Sequence, residues 1–533
     1  MKEFIKYLDW VIYQIYPKSF CDSDGDGIGD LAGITEKLDY IKDLGVNAIW
    51  LCPIFKSPQC DNGYDISDYR DIEPVFGTMR DFENLVANAK KRDIKIILDL
   101  VANHTSSEHF WFKEARKSKD NPYHDYYYWA KKPLNDWTDQ FGGGSAWEYN
   151  EQTDEYYLHS FAVGQPDVNW DNPKVRQEFC DIVDFWIDKG VDGFRCDVLH
   201  LISKDFKNDL KWFGPHFHEY VNQLFGREKS KNLFTVGECY VDEKQITELC
   251  GEGRGELKSS FQFDHIFIGS KGRFAPIVTS MNEVVKIFDN WEKVTQKLDV
   301  LYPLFTDNHD QPWYNSKFGN DGVKRFESAT ALATMFFLGR GVPFIYQGQE
   351  VGFANSEYGD ISAFDDIETL NFYKASVGKI DDKTLYKDIN FGSRDNSRRP
   401  FAWNGEQGFG FTSAEKPWLP YATRSDRLNV ESDLKNEKSV IKYYRDLLKL
   451  RKEVAAFRYG QYKSIYSDDG FIAYLREYDD EKYLVVCNFA GDREVDLGFK
   501  NKKLILTNNN AILSIKKDRF AQYDAAVYKI LDE

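Results

Sequence analysis

Acidic side chains stand within or just beyond several apolar, strand-like runs of this sequence. Asp99 lies in one such run, Asp197 and Glu238 lie near the ends of two others, and Asp310 follows a fourth. Carboxylates gathered from different strands would repel one another unless a reaction uses them. A carboxylic acid that protonates a leaving oxygen, beside a carboxylate that attacks or activates water, is the arrangement that cleaves glycosidic bonds. The residue types therefore favour cleavage of a sugar linkage.

A second group of acidic residues forms the stretch DSDGDGIGD, from Asp22 to Asp30. Its first letters match the start of an EF-hand calcium loop. The match ends there, because the twelfth position counted from Asp22 is Gly33, where the EF-hand needs a bidentate glutamate. Oxygen ligands at this spacing on a glycine-bent loop suit Ca²⁺ better than Mg²⁺, whose octahedron is stricter. From the residues themselves, a calcium loop of another kind and a solvated acidic turn both stay open.

The composition excludes several classes of partner. The chain has 533 residues and a formal net charge of −17, whereas nucleic acids and anionic membranes require a basic face. The N-terminal MKEFIKYLDW carries charges where a signal peptide needs an apolar segment, and no apolar run approaches the length of a membrane span. The cysteines stand singly, without the spacing of disulfides or zinc sites. We expect a cytoplasmic monomer with reduced thiols and no nucleic-acid or membrane partner.

The elements that would position the carboxylates follow an alternating plan. Apolar runs typical of buried strands are separated by helical patterns. One helical face collects the apolar residues of LAGITEKLDYIKDLG, which can end at Gly45, and a later helix has Asn172 as its N-cap, Pro173 in its first turn and Gly190 as its stop. Eight strands alternating with helices predict an α/β fold, the (β/α)8 TIM barrel, whose reaction site lies at the C-terminal ends of the strands. The predicted strands span residues 11–17, 48–54, 95–101, 193–199, 233–239, 260–267, 301–307 and 342–348.

Two parts of the chain depart from this plan. About seventy residues follow the third predicted strand before the next helix, and a structureless loop of that length would be unusual. After residue 457 the pattern changes to short alternating strands with turn signals. We therefore predict a barrel of residues 1–103 and 173–457, an inserted small domain of residues 104–172 after strand three, and a C-terminal antiparallel β-sandwich domain of residues 458–533.

The motifs at these strand ends resemble those of a known family. They read DLVANHTS, QPDVN, GFRCDVLHLI, TVGECY and FTDNHD in chain order, which is similar to the ordered motifs of the α-amylase superfamily of glycoside hydrolases, in its oligo-1,6-glucosidase and dextran glucosidase group. The resemblance covers nearly the whole chain. It implies that Asp197 is the nucleophile, that Glu238 is the general acid/base, and that Asp310 binds sugar hydroxyls and helps to distort the ring. A double displacement with retention follows, and it predicts about 5–5.5 Å between the two reacting carboxyl groups.

Further residues resemble family positions around the non-reducing glucose. Arg195 lies two residues before Asp197, and therefore on the same face of the strand. Its charge should hold Asp197 ionised, whereas Glu238 needs a raised pKa to donate a proton near neutral pH. The residues expected to bind the sugar are Tyr64, Asp65, His104, Phe161, Gln165, Arg195, His309 and Arg398.

The resemblance also favours one interpretation of the acidic loop. The oligo-1,6-glucosidase group carries a calcium loop after its first barrel strand. We accordingly expect a structural Ca²⁺ bound by Asp22, Asp24, Asp26 and Asp30 with the carbonyl oxygen of Ile28. Such an ion would stabilise the first βα loop, away from the sugar, and take no part in the reaction.

The residue after the nucleophile bears on the substrate. Val198 at this position resembles members that prefer α-1,6 bonds, whereas members acting on α-1,4 bonds usually carry alanine or threonine. We expect exo-acting hydrolysis of isomaltose, panose and short isomalto-oligosaccharides. Three alternatives stay open: a trehalose-6-phosphate hydrolase, an α-1,4-glucosidase, and a sucrose isomerase or other transglycosylase. A non-enzymatic transporter-subunit relative is disfavoured, because such relatives lack the catalytic carboxylates.

The sequence departs from its relatives near the expected second sugar. It reads NHDQPW where close relatives often read NHDQPR, so Trp313 replaces a basic residue and a phosphorylated aglycone is less expected. Arg399 is the residue that would compensate. Cys196 and Cys239, each adjacent to a catalytic carboxylate, are expected to be packing residues.

Overall fold

A parallel barrel forms the centre of the structure. The computed structural model describes residues 3–251, 256–269, 272–275, 280–509 and 519–531. The parallel strands within them are β1 (Ile12–Ile15), β2 (Ala48–Leu51), β3 (Lys95–Val101), β4 (Gly193–Asp197), β5 (Phe234–Gly237), β6 (Ser259–Ser260), β7 (Pro303–Leu304) and β8 (Val342–Tyr346). These eight strands follow the order β6-β5-β4-β3-β2-β1-β8-β7, and an isolated parallel bridge between Ser259 and Leu301 joins the two edges. The predicted (β/α)8 fold is confirmed.

Two barrel strands are shorter than the sequence indicates. The apolar runs predict strands over residues 260–267 and 301–307, whereas β6 and β7 have two residues each. Pro303 has no N–H with which to extend a ladder. Beyond β6, the amide of Phe267 turns back to the carbonyl of Phe263, as in a helical turn. Local backbone chemistry therefore overrides the apolar pattern at both places.

Helices fill the connections between the barrel strands. The helix Pro173–Asp188 begins as the sequence predicts, with a hydrogen bond accepted by the Asn172 side chain and with Pro173 in its first turn. The helix predicted over residues 31–45 is divided at Lys37, and Gly45 ends it in the left-handed conformation. The helices are α1 (Leu31–Glu36), α2 (Leu38–Leu44), α3 (Met79–Lys91), α4 (Phe110–Ala115), α5 (Pro173–Asp188), α6 (Phe217–Phe225), α7 (Glu243–Cys250), α8 (Met281–Leu298), α9 (Tyr314–Phe318), α10 (Arg325–Phe337), α11 (Ile367–Ser376), α12 (Asp382–Gly392), α13 (Asp395–Arg398), α14 (Val430–Lys435), α15 (Val440–Glu453) and α16 (Ala455–Tyr459).

Antiparallel sheets lie outside the barrel. A three-stranded sheet follows β3, in the segment expected as an insert. A five-stranded sheet follows α16, and its strands begin, in sheet order, at Gln461, Phe471, Glu481, Ala525 and Lys502. The domain boundaries drawn from the sequence stay predictions. The inserted strands are Trp129–Ala130, Trp147–Asn150 and Glu155–Leu158; the C-terminal strands are β9 (Gln461–Asp468), β10 (Phe471–Tyr478), β11 (Glu481–Asn488), β12 (Lys502–Thr507) and β13 (Ala525–Ile530); two-stranded ribbons pair Phe55–Lys56 with Asp68–Ile72 and Arg493–Glu494 with Arg519–Phe520.

The main hydrophobic core fills the barrel and extends beneath its helices to the C-terminal sheet. Cys196 and Cys239 are fully buried in this core, as expected for packing residues. Among the residues that the structure describes, no helix combines the length and the apolar character that crossing a membrane requires. The packed barrel is therefore the scaffold on which the strand-end residues are placed.

Candidate active site

A cavity of about 520 Å³ lies at the C-terminal ends of the barrel strands. Asp197 ends β4 and Glu238 directly follows β5, so the barrel itself presents two of the expected carboxylates. Loops after the strands and the inserted segment supply the other walls. The expected site residues that line the cavity are Tyr64, His104, Phe161, Asp197, Glu238 and Asp310.

Arg195 is buried beneath the cavity, and its guanidinium contacts three carboxylates at once. Nη1 donates to Asp99 at 2.8 Å and to Asp197 at 2.7 Å, and Nη2 donates to Glu238. The sheet register explains this convergence, because β3, β4 and β5 are neighbours and Asp99 pairs directly with Arg195. Arg195 thus lies on the expected face of the strand, but it contacts all three carboxylates and not Asp197 alone.

The pKa values of this cluster are set by burial and by mutual repulsion. Burial raises the pKa of Asp197 and of Glu238, and Arg195 opposes both shifts. Glu238 adds to the rise for Asp197, and burial also raises the pKa of Asp99 to about 6. Arg195 therefore does not hold the pKa of Asp197 low, contrary to expectation, because one guanidinium is shared among three buried acids. Asp197 and Glu238 are best described as a pair whose protons are lost in linked steps.

Asp310 has the opposite electrostatic environment. Arg398 Nη2 donates to its Oδ1 at 2.7 Å, Arg394 Nη1 donates to the same oxygen at 3.2 Å, and His309 Nε2 lies 3.0 Å from Oδ2. Burial would raise the pKa of Asp310, but His309 and the two guanidiniums outweigh burial and lower the pKa below its ordinary value. Asp310 is therefore ionised at neutral pH and does not act as a proton donor.

Tyr64 and His309 connect the two groups of carboxylates. Their rings stack with centroids 5.3 Å apart, and the Tyr64 hydroxyl lies 2.6 Å from His309 Nε2 while it donates to Asp99 at 3.0 Å. Gln14 Nε2 lies 2.7 Å from the other imidazole nitrogen. Burial lowers the pKa of His309, and the charge of Asp310 opposes that shift. His309 sits behind Tyr64 and does not line the cavity.

The inserted segment and its neighbours form another wall. The ring of Phe161 lies 5.0 Å from that of His104, and His104 Nε2 lies 3.1 Å from the carbonyl oxygen of Tyr64. Gln165 is fully buried behind this wall, where Nε2 lies 3.2 Å from His104 and donates to Asp61 at 3.1 Å. Burial lowers the pKa of His104 to about 4. This wall therefore presents neutral polar and aromatic groups.

The two aspartates of the DNGYD motif have different places. Asp65 is fully buried, and its carboxylate accepts hydrogen bonds from the amides of Cys60 and Asp61 and from the Ser57 hydroxyl, at 2.9, 3.0 and 2.9 Å. It does not line the cavity, whereas Asp61 does and lies 3.4 Å from Arg394. Asp65, which was expected at the sugar, therefore lies behind the cavity, and Asp61 is the aspartate of this motif that stands in the cavity wall. The motif contains both residues, but only the folded loop shows which carboxylate faces the cavity.

Arg394 is a second residue that the sequence analysis missed. It lines the cavity and contacts Asp61, Asp310 and Asp366. Arg398, which was expected at the sugar, is buried behind Asp310 and does not line the cavity. The four-residue spacing of these arginines in RDNSR was the available signal, because such a pair shares one helical face.

Val198 adopts an unusual backbone conformation beside the carboxylate pair. Its φ of 34° and ψ of 41° lie in the left-handed region, where a β-branched residue is strained. Its amide donates to Glu238 Oε2 at 3.2 Å, and the residue lines the cavity. The strained turn therefore directs a backbone donor at Glu238 and fixes the valine beside Asp197.

Trp313 does not stand at the expected second sugar site. It is buried and packs in a cluster with Tyr16 and Tyr346, away from the cavity lining. The tryptophan at this position therefore forms no part of the cavity wall. Lys317 and Arg273 line the cavity, and burial, together with Arg273, lowers the pKa of Lys317 to about 8.

The acidic loop gathers most of its expected ligands. Asp22, Asp24 and Asp30 each offer a carboxylate oxygen, and these atoms lie within 4.8 Å of one another. Asp26 is outside this group, and its Oδ1 accepts a hydrogen bond from the amide of Ile28 at 2.7 Å. Three hard oxygen donors at this separation fit the ligand chemistry of Ca²⁺.

The chain is similar in sequence to a known family and to known proteins. The family model described as alpha amylase, catalytic domain, matches residues 14–460. The chain is 42% identical to an oligo-1,6-glucosidase of Parageobacillus thermoglucosidasius, and the alignment covers 98% of each chain.

Two solved structures are similar to this chain over nearly its whole length. A trehalose-6-phosphate hydrolase of Bacillus licheniformis has a TM-score of 0.93 at 39% identity, covering 99% of this chain and 100% of that one. An isomaltulose synthase of Erwinia rhapontici NX5 has a TM-score of 0.93 at 38% identity, covering 98% of each chain.

The different places of Asp65 and Asp61 predict different effects of substitution on the free energy of unfolding. We expect Asp65→Asn to lower the free energy of unfolding by about 1–3 kcal/mol, because an amide leaves a buried backbone N–H without its acceptor. Asp61→Asn keeps an acceptor toward Arg394 and gives up only the hydrogen bond from the side chain of Gln165, so we expect a smaller loss, below about 1 kcal/mol. Urea unfolding of both variants at pH 7 makes the comparison. Equal losses in the two variants would contradict the structural role of Asp65.

Proposed function

Because the chain belongs to the alpha-amylase family of glycoside hydrolases, we propose that it is a retaining, exo-acting α-glucosidase that hydrolyses α-1,6-glucosidic bonds. Its substrates would be isomaltose, panose and short isomalto-oligosaccharides, attacked at the non-reducing end. One observation carries the proposal: Asp197 and Glu238 contact adjacent nitrogens of a single guanidinium. Carboxyl groups held side by side suit a double displacement, in which one attacks and the other transfers protons.

The two half-reactions use these carboxyl groups in turn. Glu238 gives its proton to the glycosidic oxygen while Asp197 bonds to the anomeric carbon, and the aglycone leaves with that proton. Glu238, now ionised, takes a proton from water, whose oxygen bonds to the anomeric carbon as the bond to Asp197 breaks. The raised pKa values support this scheme, because the pair must hold one proton at neutral pH.

Asp310 would hold the glucose at the reacting centre. Ionised by its arginines, it can accept hydrogen bonds from sugar hydroxyls and stabilise the positive charge that develops in the ring. Asp61 offers a second carboxylate on the same cavity. Phe161 presents an aromatic face to the C–H groups of the sugar, and His104 presents a neutral imidazole.

Val198 supports the linkage preference. Its side chain is held in the cavity directly after Asp197, so its β-branched bulk narrows the space where the second sugar must sit. An α-1,6 linkage has one more rotatable bond than an α-1,4 linkage, and it can turn the second ring away from that bulk. The oligo-1,6-glucosidase relative is consistent with this preference.

Trehalose-6-phosphate hydrolysis is a second candidate, and the cations of the cavity favour it. Lys317 donates to a backbone carbonyl at 2.6 Å and, among the described residues, to no carboxylate, while Arg273 pairs with Glu368 at 2.7 Å. A phosphorylated aglycone would meet this positive charge. Arg399, expected to compensate for Trp313, is instead buried with its guanidinium over the ring of Tyr358.

A substrate panel tests the proposal against its alternatives. Isomaltose, panose, maltose, sucrose and trehalose 6-phosphate are incubated with the protein, the products are separated by chromatography, and the first anomer released is read by NMR. We expect isomaltose and panose to be cleaved fastest, with release of α-glucose. Untouched isomaltose with readily cleaved maltose would refute the linkage argument. Fastest cleavage of trehalose 6-phosphate would favour the second candidate, and isomerisation of sucrose would favour transfer.

The role of Asp197 predicts a specific loss. We expect Asp197→Asn to fold normally and to lose turnover by at least about a thousandfold, since the attacking carboxylate is gone. Asp192→Asn is the matched control, because Asp192 is a partly buried carboxylate that bonds the amide of Ile96 at the opposite end of the barrel strands. Initial rates and circular dichroism are measured on both. Substantial residual activity in Asp197→Asn would remove this residue from its proposed role.

We also propose that the acidic loop binds a structural Ca²⁺. The carboxylates of Asp22, Asp24 and Asp30 would be ligands, and the bound ion would neutralise charges that otherwise repel one another. Asp22 Oδ2 also accepts a hydrogen bond from Thr412, and Asp30 caps α1 through the amide of Gly33. The loop would therefore hold the start of the barrel against a segment far along the chain.

Metal removal tests this site. We expect EDTA to lower the melting temperature and Ca²⁺, but not Mg²⁺, to restore it, because an ion that binds only the folded state stabilises it by about 2.7 kcal/mol at one hundred times its Kd. Asp24→Asn should abolish the response, and Asp479→Asn, in an exposed turn, should keep it. A melting temperature that responds to neither EDTA nor Ca²⁺ in the unaltered protein would exclude the site.

A further inference from the structure

Three consecutive backbone carbonyls, of residues 396–398, accept hydrogen bonds from three buried side chains. Trp313 Nε1 donates to the first at 2.9 Å, the Tyr346 hydroxyl to the second at 2.8 Å, and the Ser19 hydroxyl to the third at 2.5 Å. These carbonyls belong to α13, a helix of four residues, so the helix itself offers them no partner. The three donors satisfy groups that would otherwise be buried and unpaired.

The donors come from three separate parts of the barrel. Ser19 follows β1, Trp313 follows β7, and Tyr346 ends β8. All three are buried, with exposed fractions of 0%, 4% and 0%. The Ser19 carbonyl in turn accepts the amide of Phe401 at 2.8 Å. The short helix is thus attached to the barrel at points that lie far apart in the sequence.

The helix α13 determines where two arginines lie. Arg394 directly precedes it and Arg398 is its last residue, and both guanidiniums donate to the same oxygen of Asp310, at 3.2 and 2.7 Å. A displacement of the helix backbone would move both side chains together. Because hydrogen bonds weaken steeply as distance and angle depart from their optimum, the position of α13 decides how firmly Asp310 is held.

We propose that Trp313, Tyr346 and Ser19 are positioning residues that fix α13 and thereby direct its two arginines at Asp310. The inference rests on the proposed function in one respect, namely that Asp310 holds the sugar. It also gives a role to the tryptophan that departs from the family motif. The indole N–H supplies the first of the three hydrogen bonds, and the ring does not line the cavity.

The packing around Trp313 fits this role. Its ring centroid lies 5.7 Å from that of Tyr346 and 5.9 Å from that of Phe353. A Cβ at Gly348 would come within 3.0 Å of Trp313 Cη2, and Gly348 has a φ of 96°, so both the space and the backbone require glycine. The amide of Trp313 donates to Asn355 at 2.9 Å. Contacts of the ring and the hydrogen bond of the backbone amide therefore both fix the position of the indole.

Two substitutions remove single donors and keep the aromatic rings. They are Trp313→Phe and Tyr346→Phe. The matched controls are Trp186→Phe and Tyr474→Phe, which remove the same groups from buried side chains that donate to backbone carbonyls at 2.8 and 2.9 Å, away from the cavity. The dissociation constant of glucose is measured by calorimetry on the folded full-length proteins, together with kcat and KM for isomaltose and with the melting temperature.

A positioning role predicts weaker sugar binding. We expect the Kd of glucose to rise about five- to tenfold in Trp313→Phe and Tyr346→Phe, and to stay within about twofold in the controls, although all four variants lose a buried hydrogen bond. A role confined to stability would lower the melting temperature of all four and leave the Kd unchanged. That result would overturn the proposal.

A double-mutant cycle supplies a readout that needs no sugar. If Trp313 acts through the arginines that hold Asp310, then Trp313→Phe and Asp310→Asn disturb the same interaction, and their effects on unfolding are less than additive. Trp186→Phe and Asp310→Asn should add. Additivity in the first pair would overturn the proposal. If the first pair is coupled but the unaltered protein binds no glucose, the proposed function is overturned and the positioning role is supported.

Discussion

The sharing of one buried guanidinium among three carboxylates is the interaction on which the site depends. Two like charges about 4 Å apart repel by about 4 kcal/mol at an effective dielectric constant of about 20, and Asp99, Asp197 and Glu238 converge within the reach of one side chain. Arg195 offsets part of that repulsion and leaves the rest to be relieved by protonation. Raised pKa values for Asp197 and Glu238 are the consequence, and a general acid that works near neutral pH requires such a shift.

The cavity combines two opposite electrostatic environments a short distance apart. The pair of Asp197 and Glu238 shares one cation and has raised pKa values, whereas Asp310 contacts two arginines and has a lowered pKa. Environments that separate the pKa values of neighbouring carboxyl groups allow the groups to take different roles. Tyr64 bridges the two environments through Asp99 and His309, so Asp197, Glu238 and Asp310 belong to one connected network.

The loops at the cavity are held by buried polar contacts as much as by apolar packing. Asp65 secures the turn that presents Asp61, and the side chains around α13 secure the turn that presents the arginines. In the first case Asp65 lies behind the cavity and Asp61 lines it. In the second case Trp313 lies behind the cavity and Arg394 lines it. A buried donor or acceptor left unpaired costs about 1–3 kcal/mol, so such contacts select a single loop conformation.

The sequence by itself determined the barrel, the strand ends at Asp197 and Glu238, and the family, because strand periodicity, caps and short motifs are local properties of the chain. Only the tertiary structure decided that Asp61 and not Asp65 faces the cavity, that Trp313 is buried, and that Arg195 is shared. Those outcomes depend on strand register and on the direction a side chain takes from a folded turn. Both arise from contacts between residues far apart in the chain, which no local pattern of residue types encodes.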